Sequence, residues 1–242
     1  VDPGPLLKFG DSLATFFFNE VNRARPQVHS LLLRVMAERS VTAFNREYRF
    51  PHLQVFADRN RVEKEETFEL PAAARDRFLM ELTISMPPSR DLQRDLMFDP
   101  RFYDVDALIG GLRAGVVPYD ALNAVSAAVQ AHVHTSPTVE NYALDLCAAT
   151  RAPADFGIEI AGVDVTRLVL SGVSPRGMGM LMRAAKTCAW LQGRDSLVPE
   201  DLHAVFQPTI AHRIFLQPVY ELRRSELIGQ LVRQIIDRVA AP

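Results

Sequence analysis

Hydrophobic and polar positions follow two different rhythms along this chain. Near its start, an unbroken apolar run at residues 16–18 passes straight into the polar pair Asn19-Glu20. A run without alternation is the mark of a parallel strand covered on both faces. From Pro26 the period lengthens, and Val28, Leu31, Leu32, Val35 and Met36 recur at helical spacing. Proline suits that first turn because an N–H there has no helical acceptor to lose. A hairpin is predicted over residues 41–44 and 48–50, with Asn45-Arg46 at the tip. It leads to a second apolar strand at residues 53–57, which again ends in polar groups, Asp58-Arg59-Asn60. Beyond a solvated charged loop at residues 63–66, a third short strand is predicted at residues 78–84, stopped by Pro87-Pro88.

From Ser89 onward the pattern is mainly helical. Leu122, Val125, Val129 and Val133 share one helix face, and Val139, Tyr142, Ala143 and Leu146 share another. The run IEIAGVDV at residues 158–165 fits a short hairpin. A longer helix is predicted after Ser174-Pro175-Arg176, with Leu181, Met182, Ala185, Cys188 and Ala189 on its buried stripe and Gly193 as its stop. Pro199 opens another helix. Its cap position, Val198, has no side-chain acceptor, a loss of about 1 kcal/mol against Ser or Thr. Leu227, Leu231, Ile235 and Val239 mark a final amphipathic helix that reads as core or subunit packing. The predicted fold class is an α/β core fragment with a parallel sheet, residues 1–88, followed by an all-α domain, residues 89–242.

Composition narrows the function classes without choosing one. With 48% apolar and 23% charged residues, the 242-residue chain has the profile of a soluble globular protein. A net charge of −2 gives no drive toward nucleic acid or anionic membrane, so neither is expected as a partner. There is no run of eighteen apolar residues and no secretory leader, and a cytoplasmic location is expected. Cys147 and Cys188 lie in apolar helical patterns and read as buried thiols of a reducing compartment. His132 and His134, one residue apart on a helical segment, diverge and are not expected to hold a metal; His203 and His212 read as core or surface residues. Because the chain begins with Val1 rather than Met, a processed, truncated or partly observed piece is expected.

The candidate chemistry lies at the strand ends. Ligands of open α/β sheets bind beyond the carboxyl ends of the strands. Glu20 ends one predicted strand and Asn60 the next, so parallel neighbours would let both reach one water molecule. Arg77 precedes the third strand and competes with Arg75, the other being read as a surface ion-pair partner of Asp76 or Glu81. Arg176 opens a helix, where its charge opposes the macrodipole unless it faces an anion. Phosphoryl transfer to water needs an oriented nucleophile and cations at the developing charge. A carboxylate, an amide and two arginines meet that need. Each residue also has a plainer reading: Glu20 as a solvated strand end, Asn60 as a turn residue, Arg176 as an ordinary helix-start residue.

Three blocks in order resemble one family. FFFNEVNRARPQVHSLLLRVMAERSVT resembles the Walker B segment and following helix of MoxR-family AAA+ ATPases. VFADRNRVEKEETFELPAAARDRF resembles that family's sensor 1 strand, loop and arginine-finger segment, and SGVSPRGMGMLMRAAKTCAWLQGRDSLVPEDL its sensor 2 helix and lid. The resemblance spans roughly residues 4–215. It implies that Glu20 polarises the attacking water, Asn60 orients that water, Arg77 is a finger reaching a neighbouring subunit's nucleotide, and Arg176 couples the lid to the phosphates. It implies ATP and Mg²⁺ as cofactors, a hexameric ring, the 41–52 hairpin as a pre-sensor insertion, and chaperone-like remodelling of a partner such as a von Willebrand factor A domain protein.

The departures from the family pattern are specific. Asn19 stands where the Walker B aspartate belongs, so it would reach Mg²⁺ only through a water, with one negative charge missing. Arg61 and Glu66 replace a proline and a glycine of the sensor loop, and Ala72 replaces a glutamate. No GxxxxGK[ST] phosphate loop occurs in the 242 residues. The expectation is thus an ATP hydrolase in the parent protein, with this chain inactive alone; the alternative is a degenerate, non-hydrolysing interaction module.

Overall fold

The computed structural model describes residues 4–60, 68 and 70–242; Val1, Arg61 and the 63–66 loop with Glu66 lie outside them. Strand β1 (Thr15–Phe18) is followed by helix α1 (Pro26–Glu38), the hairpin β2 (Ser40–Ala43) and β3 (Arg46–Arg49), and strand β4 (Gln54–Ala57). A short helix α2 (Ala72–Arg75) precedes α3 (Arg90–Phe98) and α4 (Val105–Gly110). Then come α5 (Leu122–His132), α6 (Pro137–Ala149), strand β5 (Val169–Ser171), α7 (Pro175–Leu191), α8 (Pro199–Ile210), strand β6 (Phe215–Leu216) and α9 (Arg224–Arg238). A parallel sheet followed by helices is the predicted fold class.

The β1–β4 pair is parallel, in register from Thr15↔Gln54 to Phe18↔Ala57. Only one of its faces is covered, which corrects the expectation of a strand buried on both sides. Phe16 and Phe18 turn inward, while the cross-strand partners Phe17 and Phe56 are 58% and 55% exposed. A continuous apolar run signals capacity for burial and cannot reveal whether something lies on the second face. Helix α1 anchors the inner face. Val35 packs with Leu13, Val41, Phe50 and Leu53 in one small cluster, and Leu32 with Val21, Leu70 and Ala74 in another. The hairpin turns one residue earlier than predicted, at Phe44 and Asn45, both with positive φ (52° and 57°). Those angles are what a two-residue turn between twisted strands demands.

The largest core cluster belongs to the helices. Leu146, Leu181, Leu202, Phe206, Leu227, Leu231 and Ile235 are fully buried in it, on the stripes the periodicity predicted for α6 to α9. The stripe on α5 is covered only toward its end: Val129 and Val133 are buried, while Leu122 and Val125 stay exposed. The predicted hairpin over 158–165 shrinks to a single bridge, Ile160↔Val163, around Gly162 at φ 70°. Helix α8 is better capped than Val198 suggested. The buried Asp201 carboxylate accepts the Val198 N–H at 3.1 Å and is held by Arg194 through two bonds of 2.6 Å. Side chain and backbone thus exchange the half of a capping box that valine does not obstruct.

The third predicted strand, 78–84, is absent, and Arg213 is the reason. This arginine is 1% exposed, and its guanidinium donates to the carbonyls of Asp76, Phe78, Leu79 and Thr209. Glu81 N–H donates to Pro208 O at 2.8 Å. Backbone groups that a sheet would have paired are therefore satisfied by the helical region, and the segment runs as an extended strap. Phe78 reaches the α1 cluster and Met80 the large core, so the strap sews the two regions together.

Close packing on Arg213 makes two glycines of α7 testable. A Cβ at Gly177 would lie 2.6 Å from both Arg213 Cδ and Val173 Cγ2, whereas one at Gly179 would meet nothing. Gly179→Ala is expected to raise stability by up to about 1 kcal/mol through helix propensity. Gly177→Ala is expected to lower it on the order of 1 kcal/mol, because overpacking costs roughly 1–3 kcal/mol. Urea denaturation of the two variants checks the opposite signs.

Candidate functional site

Register places the site. Because Phe18 pairs with Ala57, positions 19 and 58 leave the sheet side by side. Asp58 N–H donates to Phe18 O at 3.1 Å, and Val21 N–H donates to Asp58 O at 2.9 Å, so the ladder continues past both strands. The Asp58 carboxylate accepts the backbone N–H of Glu20 through Oδ1. With its amide nitrogen facing Asp58, Asn19 donates to Oδ2 at 2.9 Å. Glu20 itself sits in the left-handed region (φ 51°, ψ 52°), a conformation that costs a non-glycine residue about 1–3 kcal/mol. Its carboxylate is about one-third exposed and lies 3.4 Å from Arg23 Nε. Behind it, the buried His29 of α1 donates Nε2–H to Val21 O at 2.7 Å and fixes the turn.

Asn60 follows two residues beyond Asp58, and its carbonyl accepts from Asn22 Nδ2 at 3.3 Å. Together with Asn22, Arg59, Arg75, His212 and Arg224 it lines a cleft of roughly 750 Å³ between the strand ends and the last helices. That volume is within the range of small-molecule sites. Arg59 spans one wall, donating to both Glu81 oxygens at 2.9 Å. A smaller groove of about 320 Å³ is walled by Phe16, Phe18, Leu31 and Val35 and has almost nothing polar for a phosphate.

Of the two candidate arginines, Arg176 is held at a different point, Asp76. Its carboxylate accepts from Ser174 Oγ at 2.8 Å and Arg176 Nη1 at 2.9 Å, and forms an ion pair with Arg213 Nε at 3.4 Å. Arg77 follows at once and donates Nη1–H to Ala73 O at 2.6 Å. Arg75, its rival, is buried with its guanidinium 4.7 Å over the Phe215 ring, not at the surface as the sequence suggested. So Glu20 and Asn19 gather around Asp58 at the strand ends and Asn60 lines the cleft beyond, while Arg176 binds Asp76 and Arg77, next in the chain, binds Ala73. Sequence reasoning missed Asp58, His29 and Arg213. Asp58 alone left a signal, as an acidic residue at a strand's carboxyl end.

Burial lowers the Arg213 pKa to about 10, against the opposing pull of Asp76. It also lowers His212 to about 4, helped by the Arg213 charge, while the Phe78 carbonyl works the other way. Among the described residues no group of three or more His, Cys, Asp and Glu side chains could hold a metal alone, and no helix is long and apolar enough to cross a membrane.

Similarity to known proteins agrees with the fold. Residues 5–80 match the family model described as ATPase family associated with various cellular activities, and residues 164–235 match the AAA lid domain. The chain is 54% identical over all 242 residues to the MoxR protein of Paracoccus denitrificans and 55% to that of Methylorubrum extorquens, covering 71% of each. The chain belongs to the MoxR family of AAA+ ATPases. It is 29% identical to the chaperone MoxR1 of Mycobacterium tuberculosis, covering 59% of that protein. A crystal structure from Cytophaga hutchinsonii, provisionally assigned as an ATPase, superposes with a TM-score of 0.78 at 29% identity, over 95% of this chain and 66% of that one.

Family membership implies a nucleotide and, with it, a divalent cation. The residues at the strand ends fit one: Glu20 and Asp58 bring carboxylate charge to an edge where a Mg²⁺ held mainly by phosphate oxygens and its own waters would be attracted.

His212 gives a pH test of the strap. Folded, it takes up a proton only near pH 4, against 6.5 unfolded, so between these values the unfolded chain binds more protons and stability falls as pH drops. About 3 kcal/mol is expected to be lost across that window. His212→Gln should flatten the protein's own loss of urea midpoint between pH 7.5 and 4, so the wild-type-minus-variant difference falls as pH drops; a parallel slope in both proteins contradicts the assignment.

Proposed function

We propose that the intact protein is a MoxR-type ATPase that binds ATP with Mg²⁺, hydrolyses it, and uses the cycle to remodel or mature a partner protein. The observation that carries this is the parallel β1–β4 register, which sets Glu20 and the Asn60 segment at the carboxyl ends of adjacent strands. In this reading the Glu20 carboxylate polarises the attacking water and the Asn60 amide orients it. Asn19 stands toward the cation side through a water. Arg77 reaches the nucleotide of a neighbouring copy in a ring, expected to be a hexamer, and Arg176 joins the lid to the phosphates. Arg176 exchanges its Asp76 partner for a phosphate when nucleotide is present. The chain divides near Pro87-Pro88 into core and lid.

Likeness to a protein named a chaperone supports the remodelling role. A von Willebrand factor A domain protein is the proposed client, and the cytoplasm the proposed location. The backbone cradle for the phosphates, GxxxxGK[ST], is not among these 242 residues, and the chain alone is proposed to be inactive. One feature, Asn19, favours the second reading, a module that assembles without hydrolysing.

Glu20→Gln separates the two. In the intact protein it is expected to retain ATP while turnover falls at least about 100-fold, the contribution of a positioned general base. Radiolabelled ATP retention and phosphate release measure both. Unchanged phosphate release in the variant, or none in the wild type, rejects the hydrolytic assignment.

A further inference from the structure

Asn19 removes a carboxylate from the end of β1, yet the site is not short of one. Asp58 leaves β4 at the neighbouring position, and its two oxygens face β1: Oδ1 accepts the Glu20 N–H, and Oδ2 accepts the Asn19 amide at 2.9 Å. The carboxylate is solvent-exposed, so it keeps lone pairs beyond those the two donors occupy. Its backbone is fixed on both sides, N–H to Phe18 O and C=O to Val21 N–H, which holds the side chain at the strand ends. An asparagine is also what such a neighbour requires at position 19. An aspartate there would put two carboxylates within hydrogen-bond distance, and like charges so close cannot both ionise freely.

We infer that Asp58 carries the cation-facing negative charge that position 19 lacks: the pair Asn19 on β1 and Asp58 on β4 is a carboxylate–amide pair transposed between adjacent strands. This rests on the ATPase reading above. Asp58 then has two tasks. It supplies the charge that attracts the nucleotide's Mg²⁺ by way of the cation's own water ligands, and through the Glu20 N–H it holds Glu20 in its left-handed conformation. Asn19 is a positioning residue that orients Asp58.

The test is the transposition itself, made in the intact protein with a fluorescent ADP analogue titrated in Mg²⁺ and in EDTA, and with Mn²⁺ binding followed by electron paramagnetic resonance. Asp58→Asn is expected to weaken Mn²⁺ binding and the Mg²⁺-dependent gain in nucleotide affinity about 10–100-fold, the usual scale for groups behind the metal's direct ligands. Affinity in EDTA should stay at the wild-type value. The double variant Asn19→Asp with Asp58→Asn, which restores the pair in the opposite order, is expected to recover most of the loss. If Asp58→Asn keeps the wild-type cation titration, loses nucleotide equally in EDTA, or is not rescued by the transposed pair, Asp58 has no role toward the cation and the inference is overturned, with the ATPase reading intact. If the wild-type protein binds no nucleotide in either condition, both fall together.

Discussion

One buried cation holds this structure together. Arg213 is sealed from solvent, satisfies four backbone carbonyls and pairs with Asp76, and those carbonyls lie on both the 76–79 strap and α8. A buried guanidinium is costly unless its charge and its donors are all met. The strap cannot leave without stranding it. Asp76 in turn gathers Ser174 and Arg176 from the start of α7, which ties the strap to the lid helix.

The strand ends obey a different constraint. There, position is set by backbone pairing: two short parallel strands in exact neighbourly register bring residues 19, 20, 58 and 60 to one edge. Charge can then migrate from one strand to its neighbour without leaving the site, as the Asn19–Asp58 pair illustrates. Strain at Glu20 is tolerated because its N–H is held by Asp58 and the following residue by Asp58 O and His29.

Much of the helical region was legible in the sequence, because stripes such as Leu227-Leu231-Ile235 report burial directly at a period no strand shares. Glu20 and Asn60 were legible as polar ends of apolar runs. The missing third strand was not, since residues 78–84 are apolar enough for a sheet and only the three-dimensional placement of Arg213 diverts their carbonyls. Asp58 was overlooked for a related reason: its meaning depends on a neighbour 39 positions away, at Asn19. Val198 misled in the other direction, because its cap is built by Asp201, three residues on.

A double-mutant cycle in urea with Asp76→Asn, Arg213→Met and the pair measures whether Asp76 and Arg213 form the joint between strap and lid. Each single change is expected to cost about 3–5 kcal/mol, since it strands a buried partner. The double change should cost less than the sum by roughly 2 kcal/mol or more. Additivity within about 0.5 kcal/mol would show that the two residues act independently and that no such joint exists.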